Sequence, residues 1–426
     1  MKKADFFRRK YPKFIYRNYA YKISGRNLEI FFDFAICGFE QKGGFSDIKF
    51  RPKIVIKNID RKRLAGTGER ALDNLVFHLG LMEIPSYWKA TCSPEIEIRA
   101  GFLNPEQIKW WKDTIIRGMG QFFYENRIDW RSPEFLKITS TNHKAAAIFR
   151  SPLKNRYLVP LGGGRDAIVT LELLEKQNKK INAFLVNPTR AAKQVLKVAK
   201  IKNPVIVQRK IDPALLKLNK NGYLNGHTPF TAVLSFLAVT CAALFDYKNI
   251  AFSLEKSANE GNVRYLGKII NHQWAKSSEF ERKFKDYCKK YLIKNLNYFS
   301  PLRPYTELQI SKMFTKHPQY FSVFSSCNAG IKTGERWCGN CPKCLFVYAT
   351  LYPFLEKKEL LKIFGRDIFE NKRLLPTMKG LLGQGRPKPF ECVGTKKESR
   401  LAFSLSLKKA KKTGKIPYLL TKPGNL

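Results

Sequence analysis

Two groups of residues in this 426-residue chain have the types and spacing to do chemistry. The first is Gly162-Gly163-Gly164-Arg165-Asp166-Ala167. The apolar run Tyr157 to Leu161 precedes it and reads as a buried strand, while Ile168 to Leu174 follows with helical apolar spacing. A glycine turn between a strand and a helix start binds anions. Backbone N–H groups approach the ligand closely, and the helix N-terminus adds partial positive charge. Arg165 is a candidate second grip, through a two-pronged guanidinium contact. The second group is Cys327, Cys338, Cys341 and Cys344, spaced C-x10-C-x2-C-x2-C. Four thiolates this close can close a tetrahedral site. Structural zinc is the expected ion, and an iron–sulfur cluster is the competing reading. With every position filled by protein, such a zinc would fold a loop rather than activate water. The first cysteine is expected to arrive from a strand over 321–326.

The elements that must position these groups change character along the chain. Residues 1 to about 60 read as β-rich, with strand composition at Leu28–Phe34 and Lys53–Lys57 and glycine turns between. Asn104-Pro105-Glu106-Gln107 is a helix start, and Ile108, Trp111, Ile115 and Met119 continue it at 3–4 spacing. From about residue 155 strands alternate with helices. The strands are expected at 157–161, 181–186, 204–207 and 249–254, and the helices at 167–177, 189–200 and 229–246. This alternation predicts an α/β fold, a doubly wound parallel sheet with helices on both faces. Such sheets bind ligands beyond the strand C-termini, at the topological switch point. The glycine loop, Asn187–Arg190 and Glu255–Asn262 all fall there. A triphosphate arrives with Mg2+, which takes oxygen ligands. Glu255, Asn259 and Glu260 are therefore candidate residues for the nucleotide and its cation.

Composition narrows the partners. The formal charge is +44, from 78 basic and 34 acidic residues. The basic residues are scattered, which favours solvated lysine faces over a nucleic-acid interface, and a basic cleft would suit a polyanionic small substrate. Five of the nine cysteines are dispersed, so a disulfide framework is not expected. The longest apolar run, Pro229 to Phe245, is broken by Thr231, Ser235 and Thr240 and reads as a buried helix rather than a membrane span. No apolar segment follows Met1-Lys2-Lys3, so a cytoplasmic location is expected.

The loop matches neither the Walker A pattern nor the Gly-x-Gly-x-x-Gly fingerprint. It resembles the Ser-Gly-Gly-x-Asp-Ser loop of the N-type ATP pyrophosphatases, which cut ATP between the α and β phosphates. Gly163, Gly164 and Asp166 match; Gly162 and Ala167 stand where that pattern has serine. The cysteine group resembles the zinc knuckle of 7-cyano-7-deazaguanine synthase, of the same superfamily. Further segments are Asn74–Leu81, Ser86–Ala90, Asn225–Phe230, Ser257–Asn262, Trp337–Cys344 and Lys388–Thr395. Together with the loop they resemble the UDP-N-acetylmuramoyl-L-alanyl-L-glutamate epimerase family, from about residue 70 to 400.

That resemblance implies an adenine nucleotide alpha-hydrolase-like sheet at 151–352, including the knuckle at 327–344. A mixed α+β domain at 1–150 would precede it, and a helical, basic extension at 353–426 would follow. It implies ATP and Mg2+ as cofactors, AMP and diphosphate as products, and a UDP-linked muramoyl dipeptide as substrate. The terminal L-Glu would become D-Glu. Inverting a carbon needs two acid–base groups. Cys392 and His227 lie in the family-like segments and are the candidates. Two other readings stand beside this one. The first is a tRNA- or nucleobase-modifying adenylating enzyme of the same superfamily. The second is a non-catalytic zinc-bearing RNA-binding protein with a decayed loop.

Overall fold

The computed structural model describes residues 2–39, 45–141, 146–422 and 424. Gly43 and Gly44, part of the expected early glycine turns, lie outside them. The strands are β1 (Lys13–Ser24), β2 (Asn27–Phe39), β3 (Phe45–Phe50), β4 (Lys53–Ile56), β5 (Glu95–Ile98), β6 (Lys137–Ser140), β7 (Tyr157–Pro160), β8 (Ile181–Val186), β9 (Val205–Lys210), β10 (Asn249–Ala251), β11 (Val263–Tyr265), β12 (Lys268–Ile270) and β13 (Asn297–Phe299). One mixed, mostly parallel sheet runs β13-β10-β7-β8-β9-β4-β2-β1-β5-β6, with β3 paired to β2. β11 and β12 form a separate antiparallel hairpin.

The β-rich reading of the first 60 residues holds, and these strands join the later ones. β4 pairs antiparallel with β9, Ile54 opposite Arg209 and Ile56 opposite Val207, so one sheet crosses the expected 150/151 boundary. Within the parallel part the order is β9-β8-β7-β10-β13. Chain direction across the sheet reverses between β7 and β10, the position where open α/β sheets bind ligands. The glycine loop leaves β7 there, and the Glu255 segment follows β10.

Alternation along each strand separates two cores. Leu158, Phe184, Val207 and Ile250 face one apolar core, together with the helix Phe230–Phe245. Val159, Ala183, Leu185 and Ala251 face the other, with the helices Arg165–Lys176 and Arg190–Val198. The helix Phe230–Phe245 is apolar almost all round because it is packed between β7, β10 and the helix Glu69–Trp88. Among the described residues no helix is long and apolar enough to cross a membrane. Asn104 caps the helix Pro105–Gly118 with a full capping box, as its sequence predicts.

The expected strand over 321–326 is absent. The chain there makes turns, and Cys327 caps the short helix Asn328–Thr333. Arg336 donates to the Ser322 carbonyl, and Ser325 donates its N–H to Gly163 O at 2.9 Å. These tertiary bonds hold the segment against the glycine loop without a sheet partner.

Candidate active site

The glycine loop is shaped by its neighbours. Gly163 has φ +93°, and a Cβ there would lie 2.6 Å from the Ala192 nitrogen. A Cβ on Gly164 would lie 2.8 Å from Ser326 Oγ. Gly162 has open space around its Cβ position. The loop is therefore pressed between the start of the helix Arg190–Val198 and the Ser325–Ser326 turn. Its N–H groups remain at the first turn of the helix Arg165–Lys176, where an anion is favoured.

Arg165 corrects an expectation. Its guanidinium points into the protein and is 2 % exposed. It donates to Asp166 Oδ1 at 2.9 Å, Ser311 Oγ at 2.6 Å, Thr350 Oγ1 at 3.1 Å and to Glu307. A fully engaged buried cation is not a free phosphate grip; it organises carboxylates behind the loop. Asp166, by contrast, is about a quarter exposed at the loop. Burial opposes its charge, yet Arg165 and Lys343 hold its pKa below the ordinary value. Burial pushes Glu307 up to about 7, with the charges of Asp166 and Glu255 adding to the rise and Arg165 opposing it.

The segment after β10 brings acids to the same place. Glu255 is 2 % exposed, and its Oε2 has no hydrogen-bond partner among the described residues. A buried carboxylate oxygen without a partner is costly unless a cation or donor completes it. Glu260 is differently employed: Lys388 lies 3.3 Å away, and Lys396 donates its N–H at 3.0 Å. Asn259 is exposed; its side chain closes the local turn by accepting from Ser278 N and donating to Lys256 O. Of the two carboxylates expected for the nucleotide's cation, Glu255 and Glu260, Glu255 has the unspent oxygen.

Cys392 is drawn into this region from far along the chain. Its sulfur accepts a hydrogen bond from Lys276 Nζ at 3.2 Å, and its carbonyl accepts one from Lys343. Burial would discharge Lys276, but its neighbours Cys392, Glu255 and Asp166 win and raise its pKa. Arg303 fixes the backbone on both sides, donating to Glu255 O at 2.9 Å and Lys276 O at 3.0 Å while pairing with Glu281 at 2.7 Å. The Lys388–Thr395 segment is stitched across the site by Asn262, which donates to Pro389 O at 2.7 Å.

His227 stands beside His272, ring centroids 4.5 Å apart. Burial lowers both, with help from His272 and Lys89 for His227 (about 3) and from Lys276 for His272 (about 4). Both rings are thus neutral near pH 7. Gln121 Nε2 donates to Glu125 Oε1 at 2.7 Å, which fixes the amide and turns its Oε1 toward His272 Nδ1. Nδ1 must then carry the proton, so the ring's lone pair is on Nε2 of His272.

Of the other family-like segments, Asn74–Leu81 is core. His78 is buried between Asn74 O at 2.8 Å and Tyr287 Oη at 2.9 Å. Lys89 supports the site indirectly, donating to Gly226 O at 2.9 Å beside His227. Sequence reasoning missed Lys276, His272, Glu307, Lys343 and Lys388. Two of these carried a signal: Lys343 lies between two of the clustered cysteines, and Lys388 opens the family-like segment Lys388–Thr395.

The ligand atoms of Cys327, Cys338, Cys341 and Cys344 all lie within 4.8 Å of one another. The Cys327–Cys341, Cys338–Cys344 and Cys341–Cys344 sulfurs are 3.7, 3.8 and 3.5 Å apart. Four sulfurs about 2.3 Å from one tetrahedral zinc would be about 3.8 Å apart. Gly330 N–H also donates to the Cys327 sulfur at 3.1 Å. The cluster could hold a metal such as zinc, and its compactness fits a single ion.

Fold and site together define a mixed α/β protein with a glycine loop at a helix N-terminus, buried acids and a metal-capable cysteine knuckle. Residues 5–301 match the MurL N-terminal domain and 323–419 the MurL C-terminal domain. The chain belongs to the MurL family. It is similar to the UDP-N-acetyl-alpha-D-muramoyl-L-alanyl-L-glutamate epimerase of Salinispora tropica, with 32% identity over 403 residues, 93% of this chain and 85% of the relative. The enzyme of that name from Xanthomonas oryzae pv. oryzae is 33% identical over 353 residues, 82% of this chain and 77% of the relative. A Micromonospora relative of the same name is 32% identical over 392 residues, 91% and 85% of the two chains.

Proposed function

We propose that this chain is an ATP-dependent epimerase. It converts the terminal L-Glu of UDP-N-acetylmuramoyl-L-alanyl-L-glutamate to D-Glu in a cytoplasmic step of peptidoglycan precursor synthesis. The observation that carries the reading is the meeting of the glycine loop, the buried Glu255 carboxylate with its unspent Oε2 and the Lys276–Cys392 pair at the switch point of a MurL-family chain.

The chemistry explains why such a site needs a nucleotide. An α-proton beside a carboxylate is hard to remove, because a second negative charge builds next to the first. Joining the α-carboxylate to AMP, with diphosphate as leaving group, removes that charge and leaves an acyl carbonyl whose enolate can be stabilised. The glycine loop and Asp166 would hold the nucleotide phosphates and their Mg2+, with Glu255 supplying a further oxygen. Mg2+ would neutralise phosphate charge during the displacement. This assignment corresponds to the adenine nucleotide alpha-hydrolase type of sheet.

In this scheme Lys276, charged and internal, stabilises the enolate oxygen. Cys392 handles the proton on one side of the carbon and the His227–His272 pair on the other, through His272 Nε2. The α-proton leaves to one group and a proton returns from the other. Water then cleaves the mixed anhydride to give D-Glu and AMP. Cys327, Cys338, Cys341 and Cys344 would hold zinc, which shapes the loop carrying Lys343 and takes no part in proton transfer. Incubation with the UDP-linked dipeptide, ATP and Mg2+, followed by chiral analysis of the released glutamate and quantification of AMP, tests the reading. D-Glu with stoichiometric AMP supports it; L-Glu alone with no AMP overturns it.

A further inference from the structure

A cavity of about 590 Å³ opens where the helix Pro105–Gly118 faces the β11–β12 hairpin. That volume is ordinary for a small-molecule site. Its lining carries four cations, Arg117, Arg131, Arg264 and Lys268, against one acid, Asp113. Arg117 is paired with Asp113 and Glu279, and Arg131 with Asp129. Arg264 and Lys268 are exposed on the hairpin and form no ion pair among the described residues. Unspent positive charge facing a cavity is suited to a compact polyanion.

The cavity adjoins the proton-handling end of the site. Gly120 and Asn271 line it, and the next residues, Gln121 and His272, are the hydrogen-bonded pair described above. It shares no lining residue with the glycine loop. A row of rings leads from its wall to that end. Trp130 stacks on Tyr265 with centroids 5.7 Å apart, Tyr265 meets Tyr124 at 5.4 Å, and Tyr124 meets Phe390 at 5.3 Å. Phe390 lies 6.4 Å from the His272 ring and two residues before Cys392. These rings of the row are half-buried, so part of each faces outward. Sugar C–H faces and peptide planes pack well on such surfaces.

We propose that this cavity holds the diphosphate of the nucleotide-linked substrate, and that the aromatic row lies under the sugar and peptide reaching toward Cys392. The proposal rests on the epimerase reading for the identity of the substrate. It separates the two nucleotides: ATP at the glycine loop, the uridine diphosphate moiety at the hairpin.

The test titrates UDP into the full-length protein with tryptophan fluorescence as readout, and measures KM for the UDP-linked dipeptide and for ATP. Arg264→Glu combined with Lys268→Glu is expected to weaken UDP binding and raise KM for the dipeptide by about tenfold or more, leaving KM for ATP unchanged. Lys217→Glu, on an exposed helix elsewhere, controls for net charge and should change none of these. UDP binding and dipeptide KM equal to wild type in the double variant would overturn the proposal. A rise in KM for ATP alone would overturn it too, assigning the cavity to the other nucleotide. Should the wild type turn over no UDP-linked dipeptide, the epimerase reading falls by itself. The UDP titration still decides the cavity, supporting it if the double variant loses binding and overturning it if not.

Discussion

The Lys276 ammonium lies 3.2 Å from the Cys392 sulfur although 116 residues separate the two in the chain. Cys392 and the acids around it keep Lys276 charged against burial. If this charge stabilises the enolate, Lys276→Met should slow α-proton exchange by roughly 10²-fold or more, with the circular-dichroism spectrum unchanged. Cys392→Ser should do the same. Exchange at the wild-type rate in Lys276→Met would remove Lys276 from the chemistry.

The loop glycines are not equivalent. Gly163 needs a positive φ, and an added methyl would lie 2.6 Å from the Ala192 nitrogen. Gly163→Ala should cost at least about 1 kcal/mol in strain and abolish ATP-dependent AMP formation. Gly162→Ser adds a side chain in open space, so its melting temperature should match wild type. A differential-scanning experiment in which the two variants behave alike contradicts this account of the loop.

Arg165 and Glu307 predict a pH signature. Arg165→Ala strands Glu307 at 1 % exposure and should cost about 3–5 kcal/mol in denaturant unfolding. Glu307 has a folded pKa raised from 4.5 to about 7. The folded protein holds a proton there that the unfolded chain releases. Its contribution to stability is present below about 4.5 and lost as pH rises to about 7. Asp166 is shifted downward, so its own contribution is lost on acidification below that window. Glu307→Gln should flatten the fall in stability between pH 4.5 and 7. An unchanged slope would show that Glu307 does not titrate there.

These contacts also show what could be read from the chain. The glycine turn, its flanking strand and helix, and the four cysteines are local patterns, and the structure places them as their spacing predicts. Glu255 falls in a loop after an apolar strand, so its position was legible, though its unpartnered oxygen was not. Lys276, His272 and Glu307 sit in unremarkable local contexts. Tertiary packing alone makes them neighbours of Cys392, His227 and Arg165. Arg165 looked like a phosphate ligand because it sits in the loop; its side chain turns inward because Glu307, Ser311 and Thr350 meet it there. The 321–326 stretch has strand composition, but bonds to Arg336 and Gly163 set its path instead.

The cysteine knuckle should couple metal to the site. Lys343 lies between Cys341 and Cys344, and it donates to the Cys392 carbonyl. Elemental analysis should find about one zinc per chain. Cys338→Ser should reduce both metal content and melting temperature, and epimerisation with them, because the Lys343 contact is displaced. Full activity in metal-depleted protein would contradict this coupling.

In the proposed reaction the glutamyl α-carbon is deprotonated and reprotonated only when ATP is present. The most direct measurement is mass and NMR analysis of the UDP-linked dipeptide after incubation with the protein, ATP and Mg2+ in D2O. One deuterium is expected at the glutamate α-carbon of the D-Glu product, none without ATP, and incorporation slowed by roughly 10²-fold or more with Cys392→Ser. An α-carbon that stays fully protonated while D-Glu accumulates, or deuterium that enters equally without ATP, would contradict it.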